Sequence, residues 1–263
     1  WCYWQQQPCP FDAAITHRWH QWRIAFQGQS CIAGSQQTPY VRVDSARYYD
    51  IAEARLAASD SVSLHLGQQI TGLSPQSSKR AQTVNSPVLL ELDTGQFTAN
   101  IACDTRPADI PADSLLQHFA GWEISVDSDV FDPETVTLMD FQPAAADDIH
   151  FFYVLPFDRR SALVETTHFS KSLLTKDGYA NELTTYLREQ LGVHSWRIQR
   201  QEQGVIPMPK RGPDLTQRPH AQIIPLGLHA DTVKPSTGYC YPHAQQQAAG
   251  LAQDLFSGNA HSS

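Results

Sequence analysis

The sequence predicts an α/β chain of the α+β kind, in which helix-bearing segments alternate with an antiparallel sheet. Three observations predict it. Apolar residues recur at helical spacing in a few stretches only, at 45–58, 179–191 and 244–256. Alternation with a period of two fills much of the rest, above all between Phe119 and Glu165. These patterns come in blocks, which predicts two interleaved domains. One is an antiparallel part at 1–44 and 114–205, and the other is the remainder at 45–113 and 206–263.

Taken in order, Ser45–Ala58 sets Tyr48, Ile51, Leu56 and several alanines at helical spacing, with Ser45 placed to cap the start. Val62–Leu66 alternates as a strand. Ser74–Ser86 is polar and rich in breakers, so it reads as a loop, and Val88–Leu92 with Phe97–Cys103 reads as a hairpin around Asp93-Thr94-Gly95. The run on to Asp104-Thr105-Arg106 closes that sheet. Four strands with short turns follow, at Trp122–Val126, Val136–Phe141, Phe151–Leu155 and Ser161–Thr167, as a platform with one covered face. Tyr179–Leu191 carries Leu183, Tyr186, Leu187 and Leu191 on one side. Trp196–Gly204 returns as a strand, and Ala244–Phe256 is a tail helix after a Gly238-Tyr239 turn.

Composition narrows the function classes. The 263 residues are 41% hydrophobic and 17% charged, below the roughly 25% charge of an average soluble protein. A net charge of −8 argues against nucleic acid, which needs clustered Lys and Arg. Five scattered cysteines without a Cys-x-x-Cys read as free thiols in a reducing, cytoplasmic setting. Histidine spacing predicts no metal site, His17-x-x-His20 reading as surface. No apolar run approaches the roughly 18 residues that span a bilayer, and no signal peptide is visible.

The densest chemistry runs from His118 to Thr167, where carboxylates sit among aromatic and apolar residues: Gly121-Trp122-Glu123, Leu138-Met139-Asp140-Phe141, Phe151 to Phe157, and Leu163-Val164-Glu165-Thr166-Thr167. A carboxyl group among rings loses solvation, so its neutral acid persists to higher pH. The rings themselves can face a cation. Such a site suits protonation of an alkene and survival of the carbocation.

These boxes resemble the lycopene β-cyclase family of carotenoid biosynthesis. So do Trp1-Cys2-Tyr3-Trp4, the stretch from Pro8 to Trp22, Asp104-Thr105-Arg106, Gly204 to Met208, and Lys234 to Tyr239, all in the family's order. The resemblance implies an incomplete flavin-monooxygenase-like fold that binds FAD and NAD(P)H, with an interleaved substrate domain. It implies cyclisation, without net redox change, of the linear ends of lycopene to β-ionone rings, giving γ-carotene and β-carotene. Reduced FAD, supplied by NAD(P)H, stabilises the cation or shuttles a proton. The membrane-dissolved substrate implies peripheral membrane contact. The family's pyrophosphate loop, Gly-x-Gly-x-x-Gly, occurs nowhere here and the chain starts at Trp1, so the expectation is a sequence lacking its start.

Residue by residue, the family's essential acid–base Glu maps onto Glu165, while the next carboxylate of that box is replaced by Thr166. Glu123 reads either as a second active-site carboxylate or as a seam residue facing away from Trp122. Asp140 reads as structural. Trp122, Phe151, Tyr153 and Phe157 are candidates to line a polyene site, although much of the aromatic cluster reads as plain core. Phe151 and Tyr153 share one face of their strand, opposite Phe152. Lys234, Pro235, Ser236, Thr237, Gly238 and Tyr239, with Asp104 and Arg106, map onto flavin contacts. Two rivals stand beside the cyclase: another flavoenzyme of the same superfamily, such as an aromatic hydroxylase or geranylgeranyl reductase, and a non-catalytic carotenoid-binding remnant.

Overall fold

The computed structural model describes residues 1–75, 87–106, 114–144, 148–208, 222–230, 232–234 and 237–257. In chain order the elements begin with β1 (Cys2–Trp4), β2 (Ile15–Trp19), β3 (Gln21–Phe26), β4 (Gln29–Gly34), β5 (Tyr40–Val43) and α1 (Ser45–Ala57). Next come β6 (Ile70–Pro75), β7 (Val88–Leu92), β8 (Gly95–Ala99), β9 (Ala102–Asp104), β10 (Leu115–Ser125), β11 (Thr135–Gln142), β12 (Ile149–Pro156) and β13 (Ser161–Ser170). The chain closes with α2 (Lys176–Glu189), β14 (Arg197–Met208), β15 (Ile223–Pro225) and α3 (Tyr241–Ser257). They form two compact units, Trp1–Ile51 with Pro111–Pro209, and Ala52–Ile110 with Lys210–Ser263.

The first unit is built on a seven-stranded sheet in the order β14-β10-β13-β12-β11-β3-β4. Its pairings are antiparallel except β11 with β3, which run parallel. Helix α2 covers one face. Thr175 caps its start, its hydroxyl accepting from the Gly178 amide at 3.1 Å. Gly192, at φ 65, turns the chain beyond its end. Tyr179, Leu183, Tyr186 and Leu187 recur every three or four positions and are all buried, packing on Ala120, Ile124, Phe152, Val154, Ala162 and Val164. The Tyr186 ring stacks on Phe152 at 3.9 Å. A small sheet, β1-β5-β2, belongs to the same unit, and Trp19 of β2 donates its indole N–H to the Pro156 carbonyl at the end of β12 (3.1 Å).

The second unit holds the antiparallel β6-β7-β8 sheet, the parallel pair β9 and β15, and α3. Val88, Ala102 and Ile223 form its buried cluster, joined by Leu73 and Leu90.

Several expectations need correction. Val62–Leu66 is not a strand: Val62, Leu64 and Leu66 are exposed in irregular chain, and among the described residues no strand offers it the pairing that alternation alone cannot supply. The hairpin's second arm stops at Ala99, and Ala102–Asp104 pairs instead with β15. Ser74 and Pro75 belong to β6, while 76–86 of the expected loop lie outside the described residues. Strand β10 begins at Leu115, earlier than its alternation showed, because both neighbours pair along it.

Candidate active site

Register places the chemistry. On β10, Gly121 stands opposite Glu165 of β13 on one side and opposite Glu202 of β14 on the other. Cross-strand partners point to the same face, so both glutamates project beside a residue that has no side chain. A Cβ built on Gly121 would lie 3.3 Å from Glu165 Cβ, 3.3 Å from Glu202 Cγ and 3.0 Å from Leu163 Cδ1. Across this gap the two glutamate side chains come close enough for their carboxyl groups to share a hydrogen bond. This face is opposite to α2, since the neighbouring Trp122 and Val164 point into the helix-covered core.

The electrostatics follow from that packing. Burial, reinforced by the charge of Glu202, raises Glu165 to about 8, against the opposing hydrogen bond from the Thr167 hydroxyl (2.9 Å). Glu165 therefore persists as a neutral acid at neutral pH. Cys2 of β1 feels both carboxylates. Burial, with the charges of Glu165 and Glu202 adding and Arg42 opposing, pushes its thiol up to about 12. That thiol is neither a nucleophile nor a metal ligand at physiological pH.

Glu202 is the residue that sequence reasoning missed. Nothing in Gln199-Arg200-Gln201-Glu202 distinguishes a paired carboxylate from a solvent-facing one; the available signal was its position two residues before the glycine of the Gly204-to-Met208 box. The partnership expected between Glu123 and Glu165 is not what the structure builds. Glu123 shares the Glu165 face but accepts from Arg42 at 2.5 Å and from Arg200 at 3.4 Å. The Arg42 guanidinium also lies 4.6 Å from the Phe157 ring centroid. Glu123 is thus held between two cations and turned away from partnership with Glu165.

The aromatic candidates divide between the faces. Tyr153 is the direct cross-strand partner of Glu165, and Phe151 that of Thr167. Phe151 links to Tyr153 at 5.1 Å, to Phe141 at 5.6 Å and to Phe169 at 6.3 Å, which makes a band of rings on the glutamate face. Phe157, beyond β12, packs on His17 and Arg42. Trp122 needs correction: it stacks on Trp196 at 6.4 Å and joins the core beneath α2. Adjacent strand residues face opposite ways, so Trp122 and Glu165 cannot share one site. Asp140 is structural, accepting from the Tyr186 hydroxyl at 2.8 Å with Arg23 3.8 Å away.

A second polar group lies under α2. His118, His168 and His150 form a row across β10, β13 and β12, with ring centroids 5.1 and 4.0 Å apart. His150 Nε2, His168 Nε2 and a Glu182 carboxylate oxygen all lie within 4.8 Å of one another, a donor set able to hold a cation. Hydrogen bonds already account for these atoms. His168 contacts Glu182 at 2.9 Å, Thr166 donates to Glu182 at 2.7 Å, and His150 contacts Thr166 at 2.9 Å. The group thus reads as an anchor for α2. Burial lowers His118 and takes His150 down to about 4. For Glu182, burial alone would raise the carboxyl, but the bonds from His168 and Thr166 outweigh it and leave it low.

The sign for stability is the same for all three groups. The unfolded chain takes up protons before the folded one, so their contribution is full above about 6.5 and declines as pH falls. Glu165, raised in the folded state, works in the opposite direction. Comparison with a variant separates the two effects. Between about pH 7 and about pH 5, His150→Gln should lose less of its thermal midpoint than the parent chain; equal losses would mean that His150 is not held neutral.

In the second unit, the turn before α3 is closed by Lys234 and Tyr239. The Lys234 amide donates to the Tyr239 carbonyl at 2.9 Å, and the Thr237 and Gly238 amides donate to the Lys234 carbonyl at 3.1 and 2.9 Å. Gly238 sits at φ 72, a conformation that side chains resist. Pro235 and Ser236 lie outside the described residues. A glycine turn entering the 17-residue α3 places amide dipoles toward an anion or a carbonyl edge, which fits one contact of a flavin. Asp104 and Arg106 satisfy each other, the guanidinium donating to both carboxylate oxygens at 2.9 and 2.8 Å. That pairing leaves Arg106 largely committed unless a ligand displaces Asp104.

Comparison with known proteins agrees with this architecture. A neoxanthin synthase from Solanum tuberosum is 27% identical over 172 residues, covering 61% of this chain and 34% of that protein. A lycopene beta-cyclase from a Paracoccus species is 32% identical over 143 residues, covering 52% and 36%. The chain thus spans about a third of the length of these curated relatives. Among solved structures, a geranylgeranyl bacteriochlorophyll reductase-like protein from Thermoplasma acidophilum superposes with TM-score 0.64 at 14% identity, covering 94% of this chain and 65% of that one. A flavin-dependent brominase gives 0.60 at 10% identity, covering 96% and 66%. At such identities the likeness shows the fold alone, which is the mixed α/β fold of flavin-dependent oxygenases and reductases. The model of the lycopene cyclase protein family matches residues 1–263, and the chain belongs to that family.

Proposed function

We propose that this chain carries the proton-transfer site of a lycopene β-cyclase, which closes the ends of linear lycopene into β-ionone rings without net redox change. The observation that carries the reading is Glu165, a neutral acid on an aromatic sheet face with Tyr153 as its strand partner and Phe151 next in line. Its proton adds to the terminal double bond. The neighbouring polyene bond then closes the six-membered ring, and a ring proton returns to the Glu165 carboxylate. Tyr153, Phe151 and Phe141 offer π faces to the intervening cation and exclude water that would trap it.

Bound reduced FAD, with NAD(P)H as its reductant, would supply a negatively charged ring to offset the cation. Lys234, Thr237, Gly238, Tyr239, Asp104 and Arg106 are the described residues that would hold it, together with Pro235 and Ser236. Because lycopene dissolves in lipid, the enzyme works at a bilayer surface in the cytoplasm as a peripheral membrane protein. Among the described residues no helix is long and apolar enough to cross the membrane.

The fold shared with a reductase-like protein and a brominase keeps a redox flavoenzyme as the competing reading. Pigment analysis separates them. Bacteria that accumulate lycopene and express the enzyme should form cyclised carotenoid, with no stoichiometric NADPH consumption in extracts. Unchanged lycopene, or NADPH consumed in step with product, would overturn the cyclase reading.

A further inference from the structure

We propose that Glu165 and Glu202 hold one proton between them across Gly121, and that Glu202 is the positioning residue that keeps Glu165 loaded as the acid. This rests on the reading of Glu165 as the proton donor of a cyclase, and it adds the partner on which that donor depends.

Chemistry requires the shared proton. Two ionised carboxylates are acceptors only, so a hydrogen bond between them exists only if one bears a proton. The surroundings decide which. Glu202 is ion-paired with Arg200, which also reaches Glu123. Among the described residues Glu165 forms no ion pair; the Thr167 hydroxyl, Tyr153 across the strand and the Cys2 thiol surround it, and the Trp1 ammonium acts on it only as the smallest of the electrostatic influences. The charge therefore rests on Glu202 and the proton on Glu165. Arg42, another cation near this face, is engaged by Glu123 and Phe157.

Gly121 is what permits the arrangement. Any larger residue there would place a Cβ 3.3 Å from the side chains of both acids and 3.0 Å from Leu163, closer than ordinary van der Waals contact, so the neighbours would have to give way. A pair built across a missing side chain is a local feature of three strands, and it does not require the rest of the sheet to move.

The reaction balances with Glu202 never changing its protonation. The Glu165 O–H bond breaks as the alkene π pair forms a C–H bond. The next π pair forms the ring C–C bond. A ring C–H bond then breaks, its pair becoming the ring double bond and its proton returning to Glu165. While the cation exists, two adjacent carboxylates face it, and their mutual repulsion drives the proton's return.

The test uses the flavin-loaded enzyme and Glu202→Gln, which keeps shape and hydrogen bonding but removes the charge. Turnover at neutral pH should fall by about tenfold or more. The alkaline limb of the pH–rate profile should move to lower pH, because Glu165 loses the neighbour that holds its proton. Infrared titration reads the same group without substrate: a carboxylic acid C=O band, identified by its loss in Glu165→Gln, should persist at neutral pH and titrate at lower pH in Glu202→Gln. Gly121→Ala, which wedges the pair apart, should move the band in the same direction if Glu202→Gln does not fold. A band absent at neutral pH, or a band and a pH limb unmoved in the variants, would overturn the shared proton. If the parent enzyme makes no cyclised product while the band still titrates as expected, the cyclase reading falls and the pair stands.

Discussion

Replacing Glu165 with Gln in the complete, flavin-loaded enzyme is expected to abolish ring closure while leaving flavin content intact and thermal stability undiminished. Gln fills the same space beside Gly121 and still accepts from the Thr167 hydroxyl, so the sheet has no reason to rearrange. What it lacks is an acidic proton. Loss of a positioned general acid costs typically 10²–10⁴-fold in rate, and the neighbouring glutamates are engaged elsewhere. Glu123 is engaged by Arg42 and Arg200, and Glu202 by Arg200. The measurement is carotenoid product by chromatography with flavin absorbance on the same preparation. Ring closure within a few-fold of the parent would remove Glu165 from the mechanism. Stability should even rise at neutral pH, because a half-buried acid next to a carboxylate is replaced by a neutral amide.

The second large effect concerns the support behind the site. Leu183 is 0% exposed beneath α2, against Ile124, Val154 and Val164. Leu183→Ala is expected to destabilise the first unit by about 2–5 kcal/mol, from lost transfer energy and the cavity left behind. It touches neither Glu165 nor Glu202, which lie on the other face of the same strands. The consequence for catalysis is therefore indirect: β10 and β13 lose the packing that holds their register, and activity should be lost at a lower temperature rather than at a lower rate under mild conditions. Denaturant unfolding with turnover measured at two temperatures checks this. A destabilisation below about 1 kcal/mol would mean that α2 is not the lid of this core.

Helix α2 was legible because its apolar residues repeat every three to four positions, a pattern that survives without knowledge of any partner. Strand β13 was legible as a strand-like apolar run, Ala162-Leu163-Val164, leading into Glu165. Val62–Leu66 shows the limit. Its alternation is cleaner than anything in β13, but strands exist by pairing, and among the described residues its backbone has no strand partner. The parallel join of β3 to β11 was likewise invisible, since no local pattern encodes which distant strand lies alongside.

The candidate site divides on the same line. Composition and motif order were enough to determine the family and to single out Glu165. Period-two geometry was enough to put Glu123 and Trp122 on opposite faces and Phe151 with Tyr153 on one. Only the tertiary structure decided that Glu202, rather than Glu123, meets Glu165. Both glutamates lie about forty residues from it in sequence and both share its face, so local rules rank them equally. Strand register breaks the tie. It sets Gly121 between Glu165 and Glu202, so that a missing side chain lets two carboxyl groups touch, and it hands Glu123 to Arg42 and Arg200. Pairing across strands is a long-range choice made by the packed core as a whole, and no single segment carries it.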